Sequence, residues 1–256
     1  DPSHNSIASA FKRNGFQTAY IGKWHLHGSP IGGSERRNTP IPRKYRAGFE
    51  HWQGNECNHN YYKSPFFLND STEKQFWKGY DAIDQSHCAA TLIKKFAKNK
   101  QSFFLTVSWG PPHSPYHSAP QEYKDLYKKS NILIPKNVPK EYHKQAREHL
   151  HGYYSHISAL DDCLKIILQS LKINHLEDKT IVIFTSDHGD MIFSHGLTRK
   201  LFPFEESVRV PLIIRDPSLN HLAGKQCNAP VDAPDLMPTI LAVSYTHLTL
   251  PTIGCV

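Results

Sequence analysis

Apolar positions along the chain fall into short runs of two periodicities. Ile7, Ala8, Ala10 and Phe11 recur at helical spacing, and Gly15 is a good helix stop. Residues 17–21 form a short β-like run. Residues 81–98 carry Ile83, Ala90, Ile93 and Phe96 at helical spacing. The longest helical pattern covers 141–171, from Tyr142 through Leu150, Ile157 and Leu164 to Leu171, with Gly152 a candidate break. Residues 103–109 (FFLTVSW) predict a buried strand that stops at Gly110-Pro111-Pro112, which cannot continue a ladder. Residues 180–185 (TIVIFT) predict a second strand, continuous enough to be covered on both faces, and 210–214 a third. Residues 55–78, rich in aromatics, Asn and Lys, predict an irregular loop region. Helices alternating with short apolar strands predict an α/β domain with a largely parallel central sheet flanked by helices.

Both ends depart from that pattern. The chain opens at Asp1 with an uncapped approach to its first helix, and no signal peptide is visible. A helix begins at Asp235 and runs to Ala242. Residues 243–252 (VSYTHLTLPT) then resemble one reading frame of a transposon-end sequencing adapter. The expectation is a domain truncated at both ends over 1–242, with 243–256 an adapter-derived artefact.

Composition narrows the function classes. With 256 residues, 39% hydrophobic and 21% charged, the chain can bury a sizeable core. No apolar run approaches the ~18–20 residues that span a bilayer. The 30 Lys and Arg against 23 Asp and Glu give +7, which suits an anionic partner. Nucleic acid is disfavoured, because the basic residues are dispersed and no recognition motif occurs. Cys57, Cys88, Cys163 and Cys227 are far apart with no C-x-x-C, which disfavours zinc ribbons and thioredoxin-like sites and reads as free thiols.

Three polar clusters follow predicted strands, where open α/β sheets collect function. Lys23 and His25 follow YIG. On an extended stretch they would share one side, with Trp24 packing the other way. Lys offers a compact cation for an oxyanion and His an acid–base group near neutral pH. His113 sits in a loop held by three prolines. Asp187-His188-Gly189 follows TIVIFTS and suits a divalent cation, although a hard cation needs more oxygen ligands. Taken singly, each cluster also reads as a bystander: a surface Lys, a rigid loop, a capping Asp. His4, His59, His149, His151, His156 and His175 are assigned to surface or helix faces. The aromatic and amide residues between His51 and Tyr80 could equally line a sugar subsite or form a packed loop.

Together the clusters resemble the sulfatase family. Gly15-Phe-Gln-Thr-Ala-Tyr-Ile-Gly-Lys-Trp-His-Leu26 is similar to a family signature. Gly110-Pro-Pro-His-Ser-Pro-Tyr116 is similar to the family's proline-flanked histidine loop. Phe184-Thr-Ser-Asp-His-Gly-Asp-Met191, Ser194-His-Gly196, and Lys200 before FEESVRVPLIIR resemble its metal-binding strand end and distal lysine. The motifs run in family order over residues 1–242.

The resemblance implies an alkaline-phosphatase-like fold and hydrolysis of sulfate esters by a formylglycine nucleophile, with a calcium ion (Ca2+) holding sulfate and nucleophile. Asp187 and His188 would be metal ligands. Lys23 and Lys200 would contact sulfate oxygens, His25 the formylglycine hydrate, and His113 the departing alcohol oxygen. A sulfated carbohydrate substrate and a periplasmic or extracellular location are implied. The family's Cys/Ser-x-Pro/Ala-x-Arg nucleophile motif holds none of these cysteines and would lie upstream of Asp1, with an Asp pair of the metal shell. The 256-residue chain itself is therefore expected to show no turnover. The alternatives are a phosphodiesterase or phosphonate monoester hydrolase of the same superfamily, or a non-catalytic polyanion-binding pseudoenzyme.

Overall fold

The computed structural model describes residues 6–28 and 35–244. His4 and residues 245–256, most of the expected artefact, lie outside the described residues.

The elements follow in chain order as α1 (Ile7–Arg13), β1 (Gln17–Lys23), β2 (His51–Asn55), β3 (Pro65–Leu68), β4 (Lys74–Phe76), α2 (Asp81–Lys98) and β5 (Phe103–Ser108). After them come α3 (Gln121–Lys124), α4 (His143–Ile173), β6 (Val182–Thr185), α5 (Glu205–Val208), β7 (Leu212–Arg215) and α6 (Ala233–Val243). Five strands form one sheet in the order β4-β3-β2-β1-β5. β1 pairs in parallel with both β2 and β5, and β2-β3-β4 continue antiparallel.

β1 is the buried centre, and period-two alternation divides it between two cores. Ala19 and Ile21 face α2, against Ala89, Leu92 and Phe96. Tyr20 belongs to the opposite cluster with Ala8, Trp24, Ile41, Phe49 and Trp52. Burying a side chain such as Ile21 contributes roughly 1.5–3 kcal/mol. α4 packs along α2 through Ala82, Ala159, Leu160 and Cys163, and Ser170 Oγ donates to the Ala90 carbonyl at 3.0 Å.

Four expectations need correction. The sheet is mixed: the region expected as an irregular loop contains β3 and β4, which are four and three residues long and too short to show a period. The strand expected to be covered on both faces, β6, is half-buried and pairs antiparallel with β7 in a separate two-stranded sheet. α1 is capped, because Ser6 Oγ accepts from Ser9 N at 3.1 Å. α4 runs unbroken through Gly152. A Cβ there would lie 2.2 Å from the Tyr116 carbonyl oxygen, so the glycine marks a close approach of two chains and not a helix break.

Candidate active site

Parallel pairing puts the carboxyl ends of three strands on one edge. In register, Lys23 lies beside Asn55 and Gly22 beside Ser108. The segments leaving that edge are Trp24–Gly28, Glu56–Tyr62 and Trp109–Tyr116. The segment after β6 and the Asp190–Lys200 loop approach the same edge, as the following contacts show.

His113 and Lys200 touch. Lys200 Nζ lies 2.8 Å from His113 Nε2, and His113 Nδ1 lies 3.0 Å from the Ser114 carbonyl. A carbonyl only accepts, so Nδ1 carries the proton and Nε2 presents a lone pair to the ammonium. The Tyr61 hydroxyl donates to the His113 carbonyl at 2.6 Å and fixes the loop from below. Burial lowers the proton affinity of His113, and the charges of Lys200, Lys23 and His188 lower it further against the Ser114 hydrogen bond. Lys200 is likewise lowered, by burial first and then by Lys23, while Asp187 and Asp190 oppose.

The histidine loop is seated on α4 and tied to the segment after β6. The close approach at Gly152 lets the Tyr116 backbone lie on the helix. The Tyr116 hydroxyl donates to Asp190 Oδ2 at 2.6 Å, and Asp190 Oδ1 accepts from Ile192 N at 3.2 Å. Gly189 N donates to the Ser207 carbonyl at 2.8 Å, where a Cβ on Gly189 would meet the Glu206 carbonyl oxygen at 2.0 Å. These contacts carry the Asp190–Lys200 loop back over His113.

Lys23 and His25 come together by a different route from simple alternation. β1 ends at Lys23, and His25 has φ +54°, so the stretch is no longer extended. The Trp24 side chain is buried against Tyr20 and Trp52, and the Trp24 backbone N–H donates to the Asn55 carbonyl at 2.8 Å. His25 N donates to the Glu56 carbonyl at 2.7 Å. The Glu56 carboxylate is buried and accepts from His27 N and Gly28 N at 3.0 and 2.7 Å, which closes the loop. Partial burial lowers His25, followed by the Lys23 charge, with Lys200 and Arg37 adding to it and Glu56 opposing.

Asp187 and His188 are adjacent in space as well as in sequence. His188 Nε2 lies 3.4 Å from Asp187 Oδ2, and the His188 ring meets His113 edge-on at 6.2 Å. His188 Nδ1 donates to the Gly189 carbonyl at 2.7 Å, which leaves Nε2 with a lone pair that could ligate a cation. The Asp187 side chain is 79% exposed. One carboxylate and one imidazole fall short of the six to eight oxygens a calcium ion takes. Among the described residues no group of three or more His, Cys, Asp or Glu could hold a metal ion. The described donor set alone does not fit calcium.

His59 was missed by sequence reasoning, which assigned it to a surface or helix face; it is partly buried on the segment that follows β2. Its ring stacks on His113 with centroids 4.7 Å apart and planes within 8°. Burial, then the charges of His113, Lys23, Arg37 and His25, push it down to about 4, so it is neutral at neutral pH. Its Nε2 lies 3.6 Å from the Cys57 thiol. The signal was available only in part: His59 sits just past β2, and β2 (HWQGN) lacks a strand-like composition.

The Sulfatase family model matches residues 1–244. The chain is 37% identical over 240 residues to an ulvan-active sulfatase of Formosa agariphila, covering 93% of this chain and 46% of that protein. It is 27% identical over 267 residues to an endo-4-O-sulfatase of Bacteroides thetaiotaomicron, covering 96% and 52%. A solved B. thetaiotaomicron structure, reported with the metabolism of multiple glycosaminoglycans, aligns at TM-score 0.82 and 26% identity over 94% of this chain and 53% of that one. The chain spans about half the length of the curated relatives it matches.

Proposed function

The chain belongs to the sulfatase family, and on that premise we propose that its protein hydrolyses sulfate monoesters of a sulfated carbohydrate. The similarity to an ulvan-active sulfatase and an endo-4-O-sulfatase supports a glycan substrate. The observation that carries the reading is the Lys200–His113 contact at 2.8 Å beside Lys23 and His25 on one sheet edge.

Cleaving a sulfate monoester leaves charge on the departing oxygen and keeps it on the equatorial sulfate oxygens. Fixed cations and a positioned proton donor stabilise that distribution. In the proposed roles, Lys23 and Lys200 bind sulfate oxygens. His113 and Lys200 form a proton-sharing pair between Nε2 and Nζ at the departing alcohol oxygen. His25, on its pinned loop, is the acid–base group on the nucleophile's side. The family generally implies a formylglycine nucleophile and a divalent metal. Asp187 and His188 are proposed as two of that metal's ligands, calcium being the proposed ion, and no step is derived through it. Residues 1–242 are proposed as part of the catalytic domain, with a periplasmic or extracellular location. No helix among the described residues is long and apolar enough to cross a membrane.

None of Cys57, Cys88, Cys163 and Cys227 sits in the nucleophile motif, so binding, not turnover, is the direct test. Titration of the chain with inorganic sulfate and a sulfated monosaccharide, followed through histidine ring resonances, should perturb His25 and His113. Lys23→Ala and Lys200→Ala should each weaken binding about tenfold or more, as loss of a charged hydrogen-bond partner does. Tighter binding of methylphosphonate than of sulfate would favour the phosphonate hydrolase reading. No perturbation by either anion would remove the proposed roles.

A further inference from the structure

The role proposed for His113 requires its ring to be aimed, and its own loop aims it only in part. Two contacts along the ring nitrogens define it: Nδ1 to the Ser114 carbonyl at 3.0 Å and Nε2 to Lys200 Nζ at 2.8 Å. The second is given up when Lys200 binds a sulfate oxygen and Nε2 turns to the departing oxygen. One hydrogen bond to the next residue then leaves the ring free to swing, because the terminal torsion of a histidine side chain has broad minima. A further restraint has to act on the ring without occupying either nitrogen.

His59 supplies such a restraint from another segment. Its ring lies flat against His113, with centroids 4.7 Å apart and planes within 8°. A stacked ring resists tilting of its partner and leaves the in-plane nitrogens open. The other ring beside His113, that of His188, stands edge-on and farther away at 6.2 Å. His59 is itself well held. Its segment is pinned at Glu56, whose carbonyl accepts from His25 N and whose buried carboxylate accepts from His27 N and Gly28 N. It is pinned again at the buried Tyr61, whose carbonyl accepts from Asp81 N at 2.8 Å. The Tyr61 hydroxyl donates to the His113 carbonyl at 2.6 Å, and a Cβ on Gly110 would stand only 2.9 Å from the Tyr61 ring. Between these two anchors the buried Cys57 thiol lies 3.6 Å from His59 Nε2. One short segment therefore holds the histidine loop twice, its backbone through Tyr61 and its ring through His59. Burial first, and then the charge of His113, keeps His59 neutral at neutral pH, so it does not repel a His113 ring that takes up a proton.

We propose that His59 is a positioning residue for His113: its ring face fixes the plane and tautomer of the His113 imidazole while sulfate engages Lys200, so that Nε2 stays aimed at the departing oxygen. This rests on the roles proposed above for His113 and Lys200 and deepens them, adding a residue that acts through His113.

The test follows histidine ring nitrogen and proton resonances of the full chain at neutral pH, with and without inorganic sulfate, in wild type, His59→Phe and His59→Gln. Phe keeps a flat neutral ring and loses the nitrogens, whereas Gln keeps polarity and loses the ring face. In the wild type, sulfate should shift the His113 Nε2 resonance while His113 stays a single tautomer protonated on Nδ1. His59→Phe should behave in the same way. In His59→Gln with sulfate bound, the Nδ1 proton should exchange with water roughly three- to tenfold faster, as expected from losing one ring stack. Its two ring nitrogens should also begin to average. A backbone amide spectrum like that of the wild type shows that each variant is folded. Wild-type His113 that averages its tautomers once sulfate binds overturns the inference without any variant. A His59→Gln chain whose His113 matches the wild type overturns it too, as does a His59→Phe chain that departs as far as His59→Gln. In each of these cases the sulfate reading stands, because it is judged by the wild-type shift and the loss of that shift in Lys23→Ala. If sulfate shifts neither His113 nor His25 in the wild type, the sulfate reading falls and this inference with it.

Discussion

At Gly152 the absence of a side chain decides where His113 sits. A Cβ would stand 2.2 Å from the Tyr116 carbonyl oxygen and 2.6 Å from its carbon, both backbone atoms that no rotamer change can move. Helix propensity alone would favour Ala over Gly by about 1 kcal/mol. Forcing extra volume into a packed contact costs about 1–3 kcal/mol. Gly152→Ala should therefore lose stability, by about 1–2 kcal/mol in urea unfolding, where an unpacked helix would gain it. It should also weaken sulfate binding, because the displaced segment carries His113 and the Tyr116 hydroxyl. A stabilised Gly152→Ala would mean that the approach relaxes freely. From sequence alone this glycine reads as a helix break, since a single chain does not display which other backbone comes near. The contact of His113 with Lys200 and the adjacency of Asp187 and His188 involve residues that the family-like motifs had singled out, Lys200 by the resemblance alone. His59 was not singled out, because its relation to His113 is a ring stack between segments more than fifty residues apart.

Among the elements, the loop from Asp190 to Lys200 bears the most strain. Ile192, Phe193, His195 and Arg199 all have positive φ, between 38° and 66°. Such conformations cost of order 1 kcal/mol or more each and persist only where surrounding contacts over-determine them. The contacts are visible: Tyr116 to Asp190 at 2.6 Å, His195 N to the Asn137 carbonyl at 2.8 Å, and Met191 N to the Arg199 carbonyl at 2.7 Å. Tyr116→Phe removes the first and leaves a half-buried carboxylate oxygen unbonded, at about 1.5–3 kcal/mol. The expected outcome is faster amide exchange across 190–200 than in α2, with sulfate affinity reduced severalfold as Lys200 loosens from His113. Unchanged exchange in that loop would show that the Asn137 and Arg199 contacts suffice. Element legibility followed length. α2 and α4 carry enough turns to show their period, and β1 and β5 enough buried residues. β3 and β4 hold seven residues in all, and nothing in β6 discloses that its partner is the antiparallel β7.

For the whole molecule, the interior where α2, α4 and the histidine loop meet sets how stability depends on pH. His156 is fully buried there. Its Nδ1 accepts from the Tyr80 hydroxyl at 2.6 Å, and its Nε2 faces the Pro115 carbonyl at 3.4 Å, so the neutral ring already uses both nitrogens. Burial, the largest cause, pushes it down to about 4. The unfolded chain takes up this proton near 6.5 and the folded chain only near 4. Its contribution is therefore fully present above about pH 6.5 and is lost as pH falls toward 4, up to about 3 kcal/mol. Asp81, at the start of α2, works in the opposite sense. Burial pushes its carboxyl up to about 7, against hydrogen bonds from Ser64 and the Ala82 backbone, and Oδ1 has no partner. The folded state keeps this proton where the unfolded chain has lost it, so its contribution is present at low pH and disappears between about 4 and 7. The two terms oppose each other, and the wild-type profile alone would conceal both. Difference measurements separate them. The stability gap between wild type and His156→Gln should shrink as pH is lowered from 7 to 4. The gap between wild type and Asp81→Asn should move in favour of Asn as pH rises over the same range. Urea unfolding at half-unit pH steps checks both, and parallel profiles for either variant would mean that the group titrates normally in the folded chain.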